Sequence, residues 1–431
     1  MPLTRTQTII IGIAVIVVLF FVLLLLGFIP GLKPSGGNGA STARVNLSFW
    51  GVSEAGNQDS IASLINEYKK TNSNVSLTYR QFDSVHAYEK NLINALATSQ
   101  GPDIFMFKSG WLVKNYAKAS PLSGTSFSLA QLRQLFPQVV EKDFVLSSQI
   151  YALPLYIDTL AMIYNKDIFD SSSVALMPKT WSDFQSMVPQ LRKVNILNQI
   201  TRPAAAIGGS NKSIDTASDL LNLFMIQSGS QFINSMNQVD FGSQGLSGFN
   251  SYLGFSNPNS PYYTWNDNLT YSLDSFSQNQ TAAIFDYYSS VPLIKEKNPY
   301  LNIGIALMPQ LNPDQPVNWA NYWGLSVSNQ SGQKDWAWHF IISVTTDSQI
   351  SETYLQTAKK PPALRSLIAK YKNDPDLGIF ANQALTARSW QQPDSDLVKQ
   401  YFSSAIQSVL SGQLNSEQAL RQAQTQINEL K

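Results

Sequence analysis

Three pairs of side chains have the types and spacing to hold a polar ligand: Trp50 with Glu54, Lys108 with Trp111, and Tyr156 with Asp158. Each sets an aromatic ring within four residues of a charge, a pairing that serves binding better than bond-breaking. Covalent chemistry has little to work with. The chain has no cysteine, which excludes thiol nucleophiles, zinc-thiolate sites and disulfide scaffolds. Only His86 and His339 are available as bases, and no G-x-S-x-G occurs. His86 reads as an exposed residue at a helix start, and His339, between Trp338 and Phe340, as a packing residue. The run from Ile207 to Ser213 looks like a phosphate loop but lacks G-x-x-x-x-G-K. No metal or cofactor site is expected. Two carboxylates would suffice for a glycosidase, but no acid pair stands out.

The first two pairs sit where alternating strand and helix signals would put them. Val45, Leu47 and Phe49 alternate with polar residues, predicting a strand that ends at Trp50. Ile61, Leu64, Ile65 and Tyr68 give one apolar helix face. A second strand is predicted at Val75 to Phe82, and a second helix at Tyr88 to Leu96, broken by Gly101-Pro102. Ile104 to Phe107 is all apolar, as for a strand buried on both faces. This β-α-β-α-β order implies right-handed crossovers and a parallel sheet. Ligands of open α/β sheets bind beyond the carboxyl ends of the strands. Trp50, Gly51 and Glu54 follow the first strand; Lys108, Ser109 and Trp111 follow the third. The plainer alternative is that both tryptophans cover the sheet edge.

The third pair lies in the stretch Tyr151 to Phe169. A strand from Tyr151 to Leu155 is predicted at an edge or crossing, because Pro154 removes a backbone donor. Tyr156, Ile157 and Asp158 interrupt it before the apolar run Thr159 to Tyr164. The expected geometry is a strand passing between two bodies, with Asp158 exposed between them.

A second α/β body follows. Thr180 opens a capped helix, and Asp219 to Ile226 is a strongly apolar one. Strands are predicted at Ala282 to Phe285, Ile303 to Leu307 and Trp323 to Val327, and a helix at Asp335 to Val344. Two amphipathic helices close the chain: one carries Val398, Phe402, Ile406 and Val409 and is stopped by Gly412, and the other opens at Asn415 with Gln418 three residues on.

The 431 residues carry 14% charged side chains and a net charge of +1, so nucleic-acid binding has no electrostatic support. A hydrophobic content of 44% supports a large core. Ile9 to Ile29 contains no charge and would reach about 31 Å as a helix, matching the ~30 Å hydrocarbon core. No small-residue cleavage pattern follows closely, so residues 1–30 read as an uncleaved signal anchor. The weak positive-inside bias puts the N-terminus in the cytoplasm and the rest outside. Residues 31–44 form a Gly/Ser/Pro tether.

The order of short motifs resembles the carbohydrate-binding family of extracellular solute-binding proteins that feed ABC importers, typified by maltose-binding protein. The motifs are LSFWG at 47–51, GPDI at 101–104, YALP at 151–154, YNKDIF at 164–169, PKTW at 178–181, TAAIF at 281–285, IGIALMP at 303–309, WGLSV at 323–327, AWHFI at 337–341 and SGQLNSEQALRQAQTQI at 411–427. Each alone is weak; their joint order spans residues 45 to 431. The TAAIF strand lacks the family's usual Gly-Lys and Met. The resemblance implies a type II periplasmic-binding fold, two α/β lobes joined by a hinge. Lobe 1 would be residues 45–155 with 310–360 returning to it, and lobe 2 residues 156–309 with 361–431. It implies a monomer that binds a small molecule, a sugar by preference, and delivers it to an ABC permease. It also implies ligand contacts at Trp50, Glu54, Lys108, Trp111, Tyr156 and Asp158, adding Asp286 and Tyr287 after the TAAIF strand, and Trp323 after the second crossing. A pyranose has apolar faces that stack on rings and hydroxyls that suit carboxylates. The lipid-bearing N-terminal cysteine of many such proteins is missing here, a role the apolar segment would fill. Competing readings are an anchored carbohydrate hydrolase, a ligand sensor on the same fold, and a ferric-ion binder using Tyr262-Tyr263 and Tyr287-Tyr288.

Overall fold

A computed structural model describes residues 44–197 and 199–430. The expected membrane anchor, and the tether up to its last residue, lie outside the described residues. Among these, no helix is long and apolar enough to cross a membrane.

The alternation at Val45 produces a strand that continues past Trp50 to Val52, with Leu47 and Phe49 buried beneath it. It pairs in parallel with Val75–Phe82 on one side and Ile104–Lys108 on the other. The sheet is extended by Trp323–Ser328, antiparallel to Ile104–Lys108, and then by Ala119–Ser120. Leu153–Pro154 pairs with Trp323–Ser328 off the main path, a position that tolerates the missing donor of Pro154. Asp103 of the GPDI motif ties this sheet together: its carboxylate accepts from the Ser48 backbone N–H and hydroxyl, both at 2.8 Å, and from the Ser331 hydroxyl at 2.6 Å. The helices Gln58–Thr71 and Lys334–Thr346 bury their apolar faces in the same core.

The second body has a smaller sheet in the order Ala283–Asp286, Ala161–Asn165, Ile303–Ala306, all antiparallel. Its core is rich in rings, with Trp181 packed against Phe224 at 4.3 Å and Phe285 at 5.4 Å between centroids. Thr180 and Asp183 form the capping box that starts the helix Trp181–Leu191. The last two helices, Ser395–Leu410 and Ser416–Asn428, seal the same core; Asn415 and Gln418 cap the second, and Gly412 takes φ +72 between them.

The chain crosses between the cores on three short strands that pair side by side: Asp158–Thr159, Asn318–Asn321 and Ala387–Arg388. Neighbouring residues there belong to different cores. Ile157 is in the first and Leu160 in the second; Trp319 is in the second and Ala320 in the first; Ala387 is in the first and Trp390 in the second. The first core also takes Ala363, Leu364, Leu367, Ile368, Ala381 and Ala384.

Candidate functional site

The crossing strands hold the two bodies edge to edge, and the site lies along that seam. Of the nine residues singled out from sequence, three tryptophans occupy places that packing dictates. Trp50 is a half-buried strand residue inside lobe 1, not a loop residue beyond the strand; the Arg80 guanidinium lies 4.7 Å from its ring centroid and equally close to Phe82. Trp111 is 2% exposed, stacked on Tyr88 and edge-on to Trp323 at 5.3 Å. Trp323 is fully buried; its indole N–H donates to Glu54 at 3.3 Å. Trp111 and Trp323 form the wall behind the seam and present no open face for a sugar. Beside Trp323, Gly324 lies so close to the Leu153 carbonyl and the Phe144 ring that a Cβ would not fit.

Asp158 also departs from expectation. It is 2% exposed rather than open between the bodies, because it caps the loop that begins the helix Ser290–Lys297. Its carboxylate accepts from the backbone N–H groups of Tyr288 at 3.0 Å and Ser289 at 3.1 Å. Burial pushes its pKa up to about 6, against Lys360 and the backbone donors. Tyr156 beside it is buried, with the Lys360 ammonium 5.0 Å from its ring centroid. Asp286 is buried too and raised to about 7, chiefly by desolvation. Tyr287 is 7% exposed and donates to Asp219 at 2.8 Å. Glu54 is exposed, with one carboxylate oxygen taken by the Trp323 indole.

Lys108 is where the strand-end rule expects a ligand group. It ends the strand Ile104–Lys108, 5.8 Å from the Trp323 ring centroid, and lines a recess between the bodies. Ser109, Gly110 and Asp143 come from the lobe 1 side, Asp219 and Asn222 from the helix Ala217–Gln227, and Asp396 and Lys399 from the helix Ser395–Leu410. Trp319 to Asn321 of the middle crossing form its floor. Its lining holds groups of both signs. Burial raises the Asp219 pKa against Lys399, the Tyr287 hydroxyl and Lys108, and raises that of Asp396 against Lys108. Burial works against the Lys399 ammonium, but Asp215, Asp219 and Asp396 outweigh it and hold its pKa above the ordinary value. The cavity volume is about 80 Å³, room for a few waters at about 10–15 Å³ each. A larger recess of about 580 Å³ lies along the same seam, lined by Tyr288, Lys360 and Pro362 among others.

The two bodies are tied across this seam by polar contacts. Lys114 bridges Glu89 of lobe 1 and Asp394, which caps the helix Ser395–Leu410, at 3.0 Å each. Asp143 accepts from Tyr322 at 2.7 Å and Ser389 at 2.5 Å, and burial raises its pKa to about 6.

Sequence reading missed Asp219, Asp396 and Lys399. It registered their helices only as apolar faces. Asp396 and Lys399 are three apart, hence on one side of a helix, a signal that was available. Lys360 follows a helix end and gave no signal. Among the described residues, no group of three or more His, Asp or Glu is placed to hold a metal. The phenols proposed for iron are engaged separately: Tyr262 packs on Phe255, and Tyr287 binds Asp219.

Comparison with known proteins gives this geometry a context. Residues 53–350 match the family model described as bacterial extracellular solute-binding protein. A maltotriose-binding protein of Pyrococcus abyssi is 23% identical over 330 residues, covering 73% of this chain and 66% of that one. Among solved structures, the sugar-binding protein MalE of Xanthomonas citri superposes with a TM-score of 0.76 at 18% identity, over 90% of this chain and 97% of its own. A cyclo/maltodextrin-binding protein complexed with maltotetraose gives 0.72 at 16% identity, over 89% and 96%. A Thermotoga lettingae ABC transporter solute-binding protein bound with α-D-tagatose gives 0.69 at 20% identity, over 90% and 99%.

Proposed function

The chain belongs to the bacterial extracellular solute-binding protein family, and from that premise we propose that it captures a sugar or oligosaccharide between its lobes and passes it to an ABC importer. The relatives are binding proteins and not enzymes. One observation carries the reading: the recess is lined from both bodies by cations and carboxylates together, Lys108 and Asp143 on one side and Asp219, Asp396 and Lys399 on the other. Such a lining offers donors and acceptors to hydroxyls without favouring a charged ligand. The relatives' names point to short gluco-oligosaccharides as first candidates, maltotriose and maltotetraose among them.

The recess as it stands is too small for a sugar ring, so the bodies must part about the three crossings to admit one. Measured affinity then includes the free energy of opening and reclosing. The ligand-contact set we propose is Glu54 and Lys108 from the sequence reading, with Asp219, Asp396 and Lys399 added. Tyr156, Asp158, Asp286 and Tyr287 act behind it, fixing the loop and the helix start. We further propose that residues 1–30 anchor the chain with its N-terminus in the cytoplasm, that the lobes lie outside, and that the partner is a separate permease. The lobe limits expected from sequence, 45–155 with 310–360 and 156–309 with 361–431, put the return crossings too early, because Trp319 packs in the second core and Ala363, Leu367 and Ala384 in the first. The limits we propose follow the crossings, at 157/160, 319/320 and 387/390.

A thermal-shift screen against mono- and oligosaccharides tests the proposal. Ligand at about 100 times its Kd adds about 2.7 kcal/mol, a rise of a few degrees in Tm. A rise confined to one saccharide class supports the reading. A cooperative melt unmoved by every sugar, but moved by amino acids or polyols, overturns the carbohydrate assignment.

A further inference from the structure

Lobe 2 carries an apolar projection that neither core uses. After the helix Trp181–Leu191, the chain makes a small hairpin from two strands, Lys193–Val194 and Ile200–Arg202, which pair only with each other. At its tip Ile196 is fully exposed at 101%, Leu197 is 71% exposed, and Val194 is 43% exposed. The tip is held in shape. The Asn195 side-chain oxygen accepts from the Leu197 and Gln199 N–H groups at 2.9 Å each, and its amide donates to the Gln199 side chain at 2.9 Å. The base is pinned as well: Arg192 donates to the Tyr263 carbonyl, and Arg202 to the Leu191 carbonyl at 2.9 and 3.2 Å. Two large aliphatic side chains are therefore displayed in water on a braced turn.

Along the chain on either side of them the charge has one sign. From residue 184 to residue 214 there is no Asp or Glu, while Arg192, Lys193 and Arg202 stand on or beside the hairpin. In a chain of net charge +1 this is a local concentration of positive charge. No hairpin residue lines either recess of the seam. Thr180, which bridges Gln310, stands at the other end of the eleven-residue helix, about 16 Å in length.

We propose that this hairpin docks on an anionic lipid surface, with Ile196 and Leu197 entering the headgroup layer and the three basic residues drawn to lipid phosphates. An apolar tip above a cationic base fits an interface whose outer layer is negative and whose interior is hydrocarbon. A protein partner fits less well, because three side chains on a narrow turn fall far short of the roughly 800 Å² per partner of a stable interface. Docking here leaves the recess free to open.

The absence of cysteine supplies the test. Ile196→Cys in the full chain places one thiol at the tip, which can carry a polarity-sensitive fluorophore; Ala62→Cys, exposed on lobe 1, is the control. Both proteins are presented to vesicles of phosphatidylcholine alone, or with a third phosphatidylglycerol. The expected result is a blue shift and brightening at position 196 only, only with the anionic lipid, reversed by high salt. The site-specific readout is independent of whether residues 9–29 hold the chain to the vesicle. Adding Lys193→Glu is expected to weaken the response about fivefold or more. Identical spectra at 196 and 62 with both vesicles overturn the proposal. A lipid-independent shift at 196 that grows with protein concentration also overturns it, in favour of a second copy of the chain.

Discussion

The acids of the lobe seam divide into two groups. Asp143, Asp158 and Asp286 are buried, and each has its carboxylate engaged by donors of the protein itself. Asp219, Asp396, Lys108 and Lys399 face the recess, and they balance one another mainly through the field across it. The first group fixes how the crossings and the helix starts meet. The second, on the proposed reading, keeps hydrogen-bonding capacity for a ligand. Neighbouring carboxylates of one type thus do different work, and what separates them is how many protein donors each meets: two each at Asp143 and Asp158, the Tyr287 hydroxyl alone at Asp219.

Four measurements would break or sharpen that division. The largest effect belongs to the wall. Trp323→Ala is expected to cost about 3–5 kcal/mol of stability through the cavity it leaves, read as a lower Tm or denaturation midpoint without ligand. A stable Trp323→Ala protein that had lost only sugar binding would instead make Trp323 a ligand residue.

Next is the pH dependence of the buried group. Asp143 and Asp158 titrate near 6 and Asp286 near 7 in the folded chain, all above the unfolded value near 3.9. Between about pH 4 and 7 the folded state therefore binds more protons than the unfolded one. Stability is expected to fall as pH rises through that window, by on the order of 2–3 kcal/mol per group. Asp158→Asn should flatten the curve by one group's share. Chemical unfolding at pH 4.5, 5.5, 6.5 and 7.5 reads both, and a stability that climbed across this range would contradict the burial argument.

The recess group should behave in the converse way. Asp219→Asn and Lys399→Met are expected to lower sugar affinity about 10- to 100-fold, as for a hydrogen bond to a charged group, and to move the unliganded Tm little. Calorimetric titration against the saccharide found by screening is the check. Unchanged affinity in both variants would move the site to the larger recess beside Lys360.

The smallest effect is at the bridge. Lys114→Ala removes contacts to Glu89 and Asp394, but Lys114 is 30% exposed, so solvent screening leaves at most about 1 kcal/mol. Because one contact crosses the seam, the change should favour the open state. Affinity is expected to drop up to about fivefold, and scattering should show a wider unliganded chain. A tighter complex would mean that the bridge restrains closure.

Much of the architecture was legible in the chain. The alternation at Val45 to Phe49, the helical spacing at Ile61 to Tyr68 and the apolar run at Ile104 predicted a parallel sheet, and those strands pair in parallel. Thr180, Asn415 and Gly412 act as the caps and stop that their types suggest. The site was legible only in part. Lys108 was reached through the strand-end rule, whereas Trp50 was not where it was expected, because its strand runs on for two residues with Arg80 covering the ring. Asp158 looked exposed since it interrupts an apolar run, yet a helix start 130 residues away supplies its partners.

By itself, then, the sequence determined what depends on neighbours along the chain: strand and helix periods, caps, the expected edge position of Pro154, and the order of motifs that marks the family. Tertiary structure decided which charges are spent and which are spare. That choice depends on contacts such as Tyr322 with Asp143 and Tyr288 with Asp158, between residues 179 and 130 positions apart. A carboxylate's role is set by the donors that folding brings to it, and side-chain type and local spacing carry no record of those.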